Sequence, residues 1–225
     1  MRKVFLLIFM MPLFLMSTQL RGETKTIAIL DFSNNSLIDK EKYAALSSGL
    51  AEIMITELSK VQSLQLVERQ KINAIIQEMQ LSQSGLISEA AGVQVGKLLG
   101  AHYLVFGSYM VSFGEKIRID LRIVEVETGV TIKAEEVTDK VSKVFDSIKK
   151  LNEKITKDLN VKLTASEKDA LSKGDVSLEV IQYFSTGLEL EKAGKLNEAK
   201  KMYQKALAKD GNFKPAKKRL GELGK

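Results

Sequence analysis

The chain has 225 residues, of which 44% are hydrophobic, and a formal net charge of +6 at pH 7. This length suits one α/β domain with a small appendage, and the hydrophobic content argues against a disordered chain. The absence of cysteine excludes disulfides, thiol nucleophiles, cysteine-rich zinc sites and the lipid-attachment cysteine of a bacterial lipoprotein.

The first residues have the pattern of a secretory signal peptide. Arg2 and Lys3 precede an apolar block at 4–16, and the chain then turns polar up to Gly22. A positive start followed by a short apolar stretch is typical of such signals. The alternative, a membrane-spanning anchor, needs about 20 apolar residues. We therefore predict a signal peptide at 1–22 and an exported, periplasmic protein that could lie peripheral to the outer membrane.

Residues 23–163 alternate between strand and helix signals. Short apolar runs bounded by polar residues indicate strands, and apolar residues at three- and four-residue steps indicate helices. Ser88 can cap one helix and Gly100 can end it in the left-handed conformation. The predicted elements are a strand at 26–32, a helix at 43–58, a strand at 64–67, a helix from 72 to about 84, and a helix at 89–99.

Three consecutive strands follow. The apolar run at 102–111 indicates a strand buried on both faces, and Gly114 with Glu115 suits a two-residue hairpin turn. Apolar and charged residues alternate from 116 to 123, and the phase shift at Val124 and Val126 predicts a bulge or a strand end that is buried on both faces. A third strand at 130–134 and a long helix to residue 159 complete the domain. The order β-α-β-α-α-β-β-β-α predicts an α/β fold with a mixed sheet of about five strands.

The C-terminal segment is predicted to be helical. Residues 164–177 form a linker that contains a short helix opened by a capping box at Thr164 and Glu167. Residues 178–225 have the small and aromatic residues of a tetratricopeptide-like repeat followed by a capping helix. One repeat cannot bury its own apolar face, so it must dock on the α/β domain or on another chain. From 189 to 225 there are eleven Lys or Arg against five Asp or Glu, so an anionic envelope surface is a second possible partner of this tail.

The sequence contains no recognisable catalytic, cofactor-binding or metal-binding motif. His102 is the only histidine and is interpreted as a satisfied strand-end residue; Ser108 lacks the G-x-S-x-G context of a nucleophile. Asp31 stands at the carboxyl end of the first strand, where a ligand-facing acid is placed in open α/β sheets, although a turn or cap carboxylate is the ordinary alternative. Glu68 and Arg69 follow the second strand, where they could bind a partner, although a local ion pair between them is the ordinary alternative. We predict that the protein is not an enzyme.

Several short motifs resemble one family in the right order. They are IAILDF at 27–32, GLAE at 49–52, LVER at 66–69, SGL at 84–86, GKLLGA at 96–101, VFGS at 105–108 and LRIVEVETG at 121–129. Together they resemble the curli secretion-channel (CsgG) and FlgO family, and also the N-terminal domain of TolB and TolB-like proteins. Members of the channel family carry a lipidated cysteine and insert long amphipathic hairpins. This chain has no cysteine and only a minimal turn at Gly114 and Glu115, so the resemblance does not imply pore formation.

The resemblance implies a non-enzymatic envelope protein that acts in assembly or transport through contacts with other proteins, with self-association as a further expectation. The alternatives are a subunit of an outer-membrane secretion pore and a TolB- or LpoB-like regulator or scaffold that binds a cell-wall synthase. No nucleic-acid partner is expected. In the repeat pattern, the face that would contact a partner holds Ile181, Phe184, Leu188 and Glu191. Packing of this face onto the protein's own domain is the competing interpretation.

Overall fold

A computed structural model describes residues 24–79 and 88–224 of the chain. The predicted signal peptide and the predicted end of the second helix lie outside these residues. The strands are β1 (Lys25–Ile29), β2 (Ser33–Asn34), β3 (Leu64–Leu66), β4 (Tyr103–Ser112), β5 (Lys116–Glu125) and β6 (Val130–Lys140). The helices are α1 (Leu46–Leu58), α2 (Arg69–Glu78), α3 (Glu89–Leu98), α4 (Val144–Asp158), α5 (Ala165–Ser172), α6 (Leu178–Lys192), α7 (Leu196–Lys209) and α8 (Lys214–Leu223).

The strands form one mixed sheet in the order β3-β1-β4-β5-β6, which confirms the predicted fold class. Strands that are joined through helices pair in parallel, namely β1 with β3 and β1 with β4, whereas the β4–β5 and β5–β6 hairpins are antiparallel. The short strand β2, which the sequence did not indicate, also pairs with β4 in parallel. Strand β2 follows β1 along the same side of β4 and pairs with a later part of that strand.

Helices cover the two faces of the sheet unequally. The larger core cluster joins the sheet to α1, α4 and the C-terminal helices, and the smaller cluster lies under α2 and α3. Leu104 and Val105, which point to opposite faces of β4, are both fully buried. Further along β4, Phe106, Ser108 and Met110 are only half-buried. The prediction that this strand is buried on both faces therefore holds at its start alone, because the smaller helical layer ends there.

Two glycines let α3 lie close against the sheet. A Cβ atom added to Gly92 would stand 3.0 Å from a side-chain carbon of Leu104, and one added to Gly96 would stand 2.8 Å from a side-chain carbon of Val126. The spacing of these glycines predicts this packing, since any larger residue would push the helix outward. Ser88 caps the same helix by accepting a hydrogen bond from the Ala91 amide, as predicted.

The last strand differs from its prediction in length. β6 runs to Lys140 rather than to residue 134, and the expected bulge lies where Ile123 and Val124 of β5 face Lys133 and Thr131 of β6. Strand β6 is at the edge of the sheet and mostly exposed. Its second half therefore has no apolar alternation for sequence reasoning to detect.

The predicted capping box fixes the linker helix to the α/β domain. Glu167 accepts hydrogen bonds from the backbone amides of Gln62 and Thr164, each at 2.8 Å, while its own amide donates to the Thr164 hydroxyl. The hydrogen bonds that the carboxylate accepts hold the pKa of Glu167 below its ordinary value. The bond from the Gln62 amide has the largest effect, and those from Thr164 add to it. The carboxylate thus joins α5 to the loop that precedes β3.

Glu167 is expected to make stability depend on pH in the acid range. Because its pKa is lower in the folded chain than the ordinary value of 4.5, its contribution is complete above that value and is lost as the pH falls through the folded pKa. The difference in urea midpoint between the wild type and Glu167→Gln should therefore be largest at neutral pH and should shrink below about pH 4.5. Glu198→Gln, which changes an exposed glutamate in the first turn of α7, is the control. An unchanged difference across that range would contradict this role.

Candidate functional site

A cluster of charged side chains lies where the α/β domain meets the C-terminal helices. Asp31 follows β1, and Arg69 is the first residue of α2, directly after β3. Because β1 and β3 are parallel neighbours, their carboxyl ends meet at one edge of the sheet, which is where open α/β sheets place functional side chains. Lys192, at the end of α6, reaches the same place from the C-terminal segment.

Asp31 bridges the two parts of the chain. One carboxylate oxygen accepts a hydrogen bond from the Arg69 guanidinium, and the other accepts from the Lys192 ammonium at 2.7 Å. The Arg69 side chain is 3% exposed and that of Asp31 is 14% exposed. Both oxygens are therefore engaged by cations of the chain itself. A ligand at this edge would have to be held by the neighbouring groups rather than by Asp31.

The pairing of Arg69 corrects the expectation of a local ion pair with Glu68. Arg69 reaches 38 residues back along the chain to Asp31. Burial lowers the pKa of Arg69 to about 10, although Glu189 acts in the opposite direction. Burial also lowers the pKa of Lys192, and repulsion from Arg69 adds to the effect. In both cations the loss of hydration thus outweighs the attraction of the nearby carboxylates.

A second set of contacts continues the cluster into the C-terminal helices. Glu191 accepts hydrogen bonds from the Arg219 guanidinium at 2.6 Å and from the Tyr203 hydroxyl at 2.7 Å. Arg219 also donates to Glu222 at 2.8 Å. Its side chain is only 5% exposed, so α6, α7 and α8 are joined by a polar contact that is largely shielded from water.

A cavity of about 240 Å³ opens beside this cluster, between α2 and the ends of α6 and α8. Three cationic side chains and one carboxylate contribute to its wall: Arg69, Lys192, Arg219 and Glu191. The rest of the lining comes from Leu188 and from one face of α2, namely Gln70, Asn73, Ala74 and Gln77. Most of the lining residues are therefore polar or charged, and three of the four charged ones are positive.

The predicted partner-contact residues do not form a surface. Ile181 and Phe184 are 0% exposed and Leu188 is 2% exposed. All three lie in the larger core cluster together with residues of α1, while Glu191 is held by Arg219 and Tyr203. A partner could not reach the three apolar side chains in this arrangement. Their placement agrees with the competing interpretation, in which this face packs onto the protein's own domain.

The contact between α1 and α6 is close. A Cβ atom added to Gly49 would stand 1.8 Å from the hydroxyl oxygen and 2.8 Å from the Cβ of Ser185. Next to this point, the Ser48 hydroxyl donates a hydrogen bond to Glu189. Ser185 is fully buried, and its hydroxyl has no hydrogen-bond partner among residues 24–79 and 88–224. The C-terminal helices therefore dock on the α/β domain through this helix pair.

The strand at the other side of the sheet is largely exposed. β6 is an edge strand, and two of its apolar side chains are exposed, Val130 by 57% and Ile132 by 37%. An edge strand leaves one row of backbone hydrogen-bonding groups without a partner strand, and in β6 the Lys154 ammonium donates to the Glu136 carbonyl at 2.9 Å. On the neighbouring sheet face, Arg118 pairs with Asp120 and Glu136. We call β6 with these two apolar side chains the β6 edge.

His102 and Ser108 lie apart from the charged cluster. His102 precedes β4, is exposed, and accepts a hydrogen bond from the Thr26 amide at 3.1 Å through Nδ1, which confirms its interpretation as a satisfied strand-end residue. Ser108 is half-buried on β4, on the wall of a groove that also includes Arg118 and Asp120.

Among the described residues, no helix combines the length and the apolar character needed to span a membrane.

Comparisons with solved structures find several similar folds. The LpoB C-terminal domain from Salmonella enterica is 16% identical with a TM-score of 0.43, and the match covers 52% of this chain and 84% of that chain. TolB from Acinetobacter baumannii is 13% identical with a TM-score of 0.41, and the match covers 61% of this chain and 29% of that chain. Lipoprotein GNA1162 from Neisseria meningitidis is 10% identical with a TM-score of 0.44, and the match covers 62% of this chain and 99% of that chain.

A comparison with curated proteins finds no match. A comparison with family models finds one match, to the family described as curli production assembly/transport component CsgG, over residues 13–118. That segment includes β1 to β4 and the start of β5, together with α1, α2 and α3. The resemblance indicated by the short sequence motifs is thereby confirmed: residues 13–118 of this chain match the CsgG family.

Proposed function

We propose that this protein acts in the bacterial envelope as a non-enzymatic assembly or transport component that works by contacting other proteins. The observation that carries the proposal is the CsgG-family segment at 13–118, whose family description names assembly and transport. The predicted signal peptide would deliver the chain to the periplasm. The tetratricopeptide-like identity of the C-terminal helices is part of the same proposal.

The β6 edge is the surface that we assign to the contact with an envelope protein. It is long, exposed and at the end of the sheet, and its bulge carries the half-exposed side chain of Ile132. Extended segments of a partner can add to such an edge through backbone hydrogen bonds, while side-chain pockets provide specificity. The apolar face of α6, in contrast, is occupied by α1.

Site-specific photo-cross-linking in cells tests this assignment. A photoreactive residue at Val130 should yield a cross-linked envelope protein, and one at Leu196, an apolar residue of α7 with a similar exposure of 46%, should not. Val130→Lys should abolish the cross-link formed from position 132 and leave the melting temperature unchanged, since exposed substitutions shift stability by less than about 0.5 kcal/mol. Equal cross-linking at both positions, or none at either, would contradict the assignment.

The identity of the cross-linked protein separates the proposal from its alternatives. A copy of the chain itself would indicate self-association, and a cell-wall synthase would favour the regulator. A pore subunit should partition into detergent with its partner, whereas a purely aqueous species would argue against that function. Retention on anionic vesicles that is lost at high salt would point to the basic C-terminal helices as a further contact.

A further inference from the structure

We propose that the groove between α4 and α5 binds a single-chain anionic amphiphile of the fatty-acid class, with the acyl chain on an apolar floor and the carboxylate among three lysines. The inference rests on the side chains that form this groove, and it does not depend on the proposed contact at the β6 edge. Neither the family description nor the short sequence motifs assign a ligand to this place.

The floor of the groove is apolar. The groove has a volume of about 700 Å³ and is formed by the end of α4, one side of α5 and the loop between them. Leu171 is 2% exposed, and Val161 and Leu163 are half-buried against the larger core cluster. Thr156 is buried as well, and its hydroxyl already donates to the Glu153 carbonyl at 2.8 Å. A concave, largely apolar site of this size is typical of those that hold small organic ligands.

Three lysines with exposed side chains also line the groove, and we call them the groove lysines: Lys157, Lys162 and Lys168. In the part of the chain that the structure describes, none of them forms an ion pair, whereas the other lysines of α4 all pair with carboxylates. Of the two acids in the wall, Asp169 pairs with Lys173, which is not a lining residue. Glu153 is thus the one lining acid left to oppose the groove lysines.

Helix α5 is held in place through residues that do not line the groove. The Glu167 carboxylate accepts a hydrogen bond from the Gln62 amide, and the Lys60 ammonium donates to the Ala170 carbonyl at 3.1 Å. The two walls are therefore fixed relative to each other before a ligand binds. A site that is already formed loses less conformational freedom on binding.

An apolar floor beside unpaired cations is complementary to one class of ligand. Each methylene of an acyl chain that leaves water strengthens binding by up to about fourfold, and an anionic head group is attracted by the groove lysines. A small anion without a chain would not use the apolar floor, and a neutral chain would leave the cations unpaired. Both halves of the site are used only by an acyl chain that ends in a negative charge.

Methyl nuclear magnetic resonance tests the proposal on the full chain with sodium dodecanoate kept below its micelle concentration. The methyl signals of Val161, Leu163 and Leu171 should shift along one saturable curve. Decanoate, which is two methylenes shorter, should bind up to about 15-fold more weakly. Dodecyltrimethylammonium, with the same chain length and the opposite charge, should also bind more weakly than dodecanoate. Methyl signals that stay unchanged in dodecanoate, or equal binding of the two oppositely charged amphiphiles, would overturn the proposal.

Phosphatidylglycerol vesicles separate a free amphiphile from a bilayer. They carry acyl chains and negative charge, but their chains are packed in the membrane. Shifts of the groove methyl signals that appear with vesicles and not with dodecanoate would overturn the proposal in favour of contact with a membrane surface.

Charge variants locate the head group. Changing all three groove lysines to glutamine should weaken dodecanoate binding by at least about threefold, because even weak exposed ion pairs add up over three positions. The matched control makes the same change at three exposed lysines of the C-terminal segment: Lys195→Gln, Lys201→Gln and Lys217→Gln. The control should bind dodecanoate as the wild type does, and both proteins should remain folded, since exposed substitutions have small effects on stability. Equal affinities in the two triple variants would overturn the proposal.

Discussion

Replacing Asp31 with alanine is expected to lower the free energy of unfolding by about 3–5 kcal/mol. The change leaves the Arg69 guanidinium, which is 3% exposed, without its carboxylate, and an uncompensated buried charge is one of the most destabilising defects in a protein. It also removes one of the two carboxylates that hold Lys192. Urea unfolding followed by circular dichroism measures the effect.

Two further variants show whether the loss comes from the buried pair. Asp169→Ala removes an exposed carboxylate of α5 that pairs with Lys173, where both side chains are more than half exposed, and it should change stability by less than about 1 kcal/mol. Asp31→Ala combined with Arg69→Met removes both charges and should be more stable than Asp31→Ala alone. A double variant as unstable as the sum of the two single changes would mean that the two side chains are not coupled.

Replacing Gly49 with alanine is expected to destabilise the chain by about 1–3 kcal/mol, because the added methyl overlaps with Ser185 where α1 and α6 cross. In an open helix the same change would stabilise by roughly 1 kcal/mol, since glycine is a poor helix former. Gly221 on α8 is such an open position, with no atom within 4 Å of an added Cβ. The two alanine variants should therefore have effects of opposite sign.

A compensating change tests the origin of the Gly49 effect. Ser185→Gly removes both atoms that the new methyl would meet, so it should recover most of the stability lost in Gly49→Ala. Ser185→Gly alone should destabilise by about 1 kcal/mol, as glycine does inside a helix. Additive effects of the two changes would show that α1 and α6 are not in contact at this point.

Local patterns were sufficient to predict most of the fold. The helix ends at Ser88 and Thr164, the bulge opposite Val124 and the close packing at Gly92 all depend on neighbours in sequence or on one apolar face, and all agree with the structure. The second half of β6 was missed because an exposed edge strand needs no apolar residues. The β4–β5 hairpin was placed correctly, but its loop has the three residues 113–115 rather than two, because Ser112 pairs with Lys116. Within this loop, Glu115 has a positive φ as well as Gly114.

The charged cluster could be predicted only in part. The position of Asp31 after a parallel strand drew attention to it, since that position is a property of the sheet. Its partners could not be inferred, because Arg69 and Lys192 are 38 and 161 residues away in the chain. The distance in space between Asp31 and Lys192 depends on how α6 packs against the rest of the chain. A single sequence contains no signal for that packing. The spacing of the apolar residues on α6 was therefore equally compatible with contact to a partner and with packing onto the protein's own domain.

Thiol labelling of a single introduced cysteine tests most directly whether the C-terminal helices are docked on the α/β domain. The chain has no cysteine of its own, so Ser185→Cys, a nearly isosteric change at a fully buried site, reports on the α1–α6 contact alone. If the helices are docked, this thiol should react with a maleimide only when the structure opens. Its labelling rate should then be far lower than that of the thiol in Leu196→Cys, on the exposed side of α7. Equal labelling rates for the two thiols in the native protein would contradict docking.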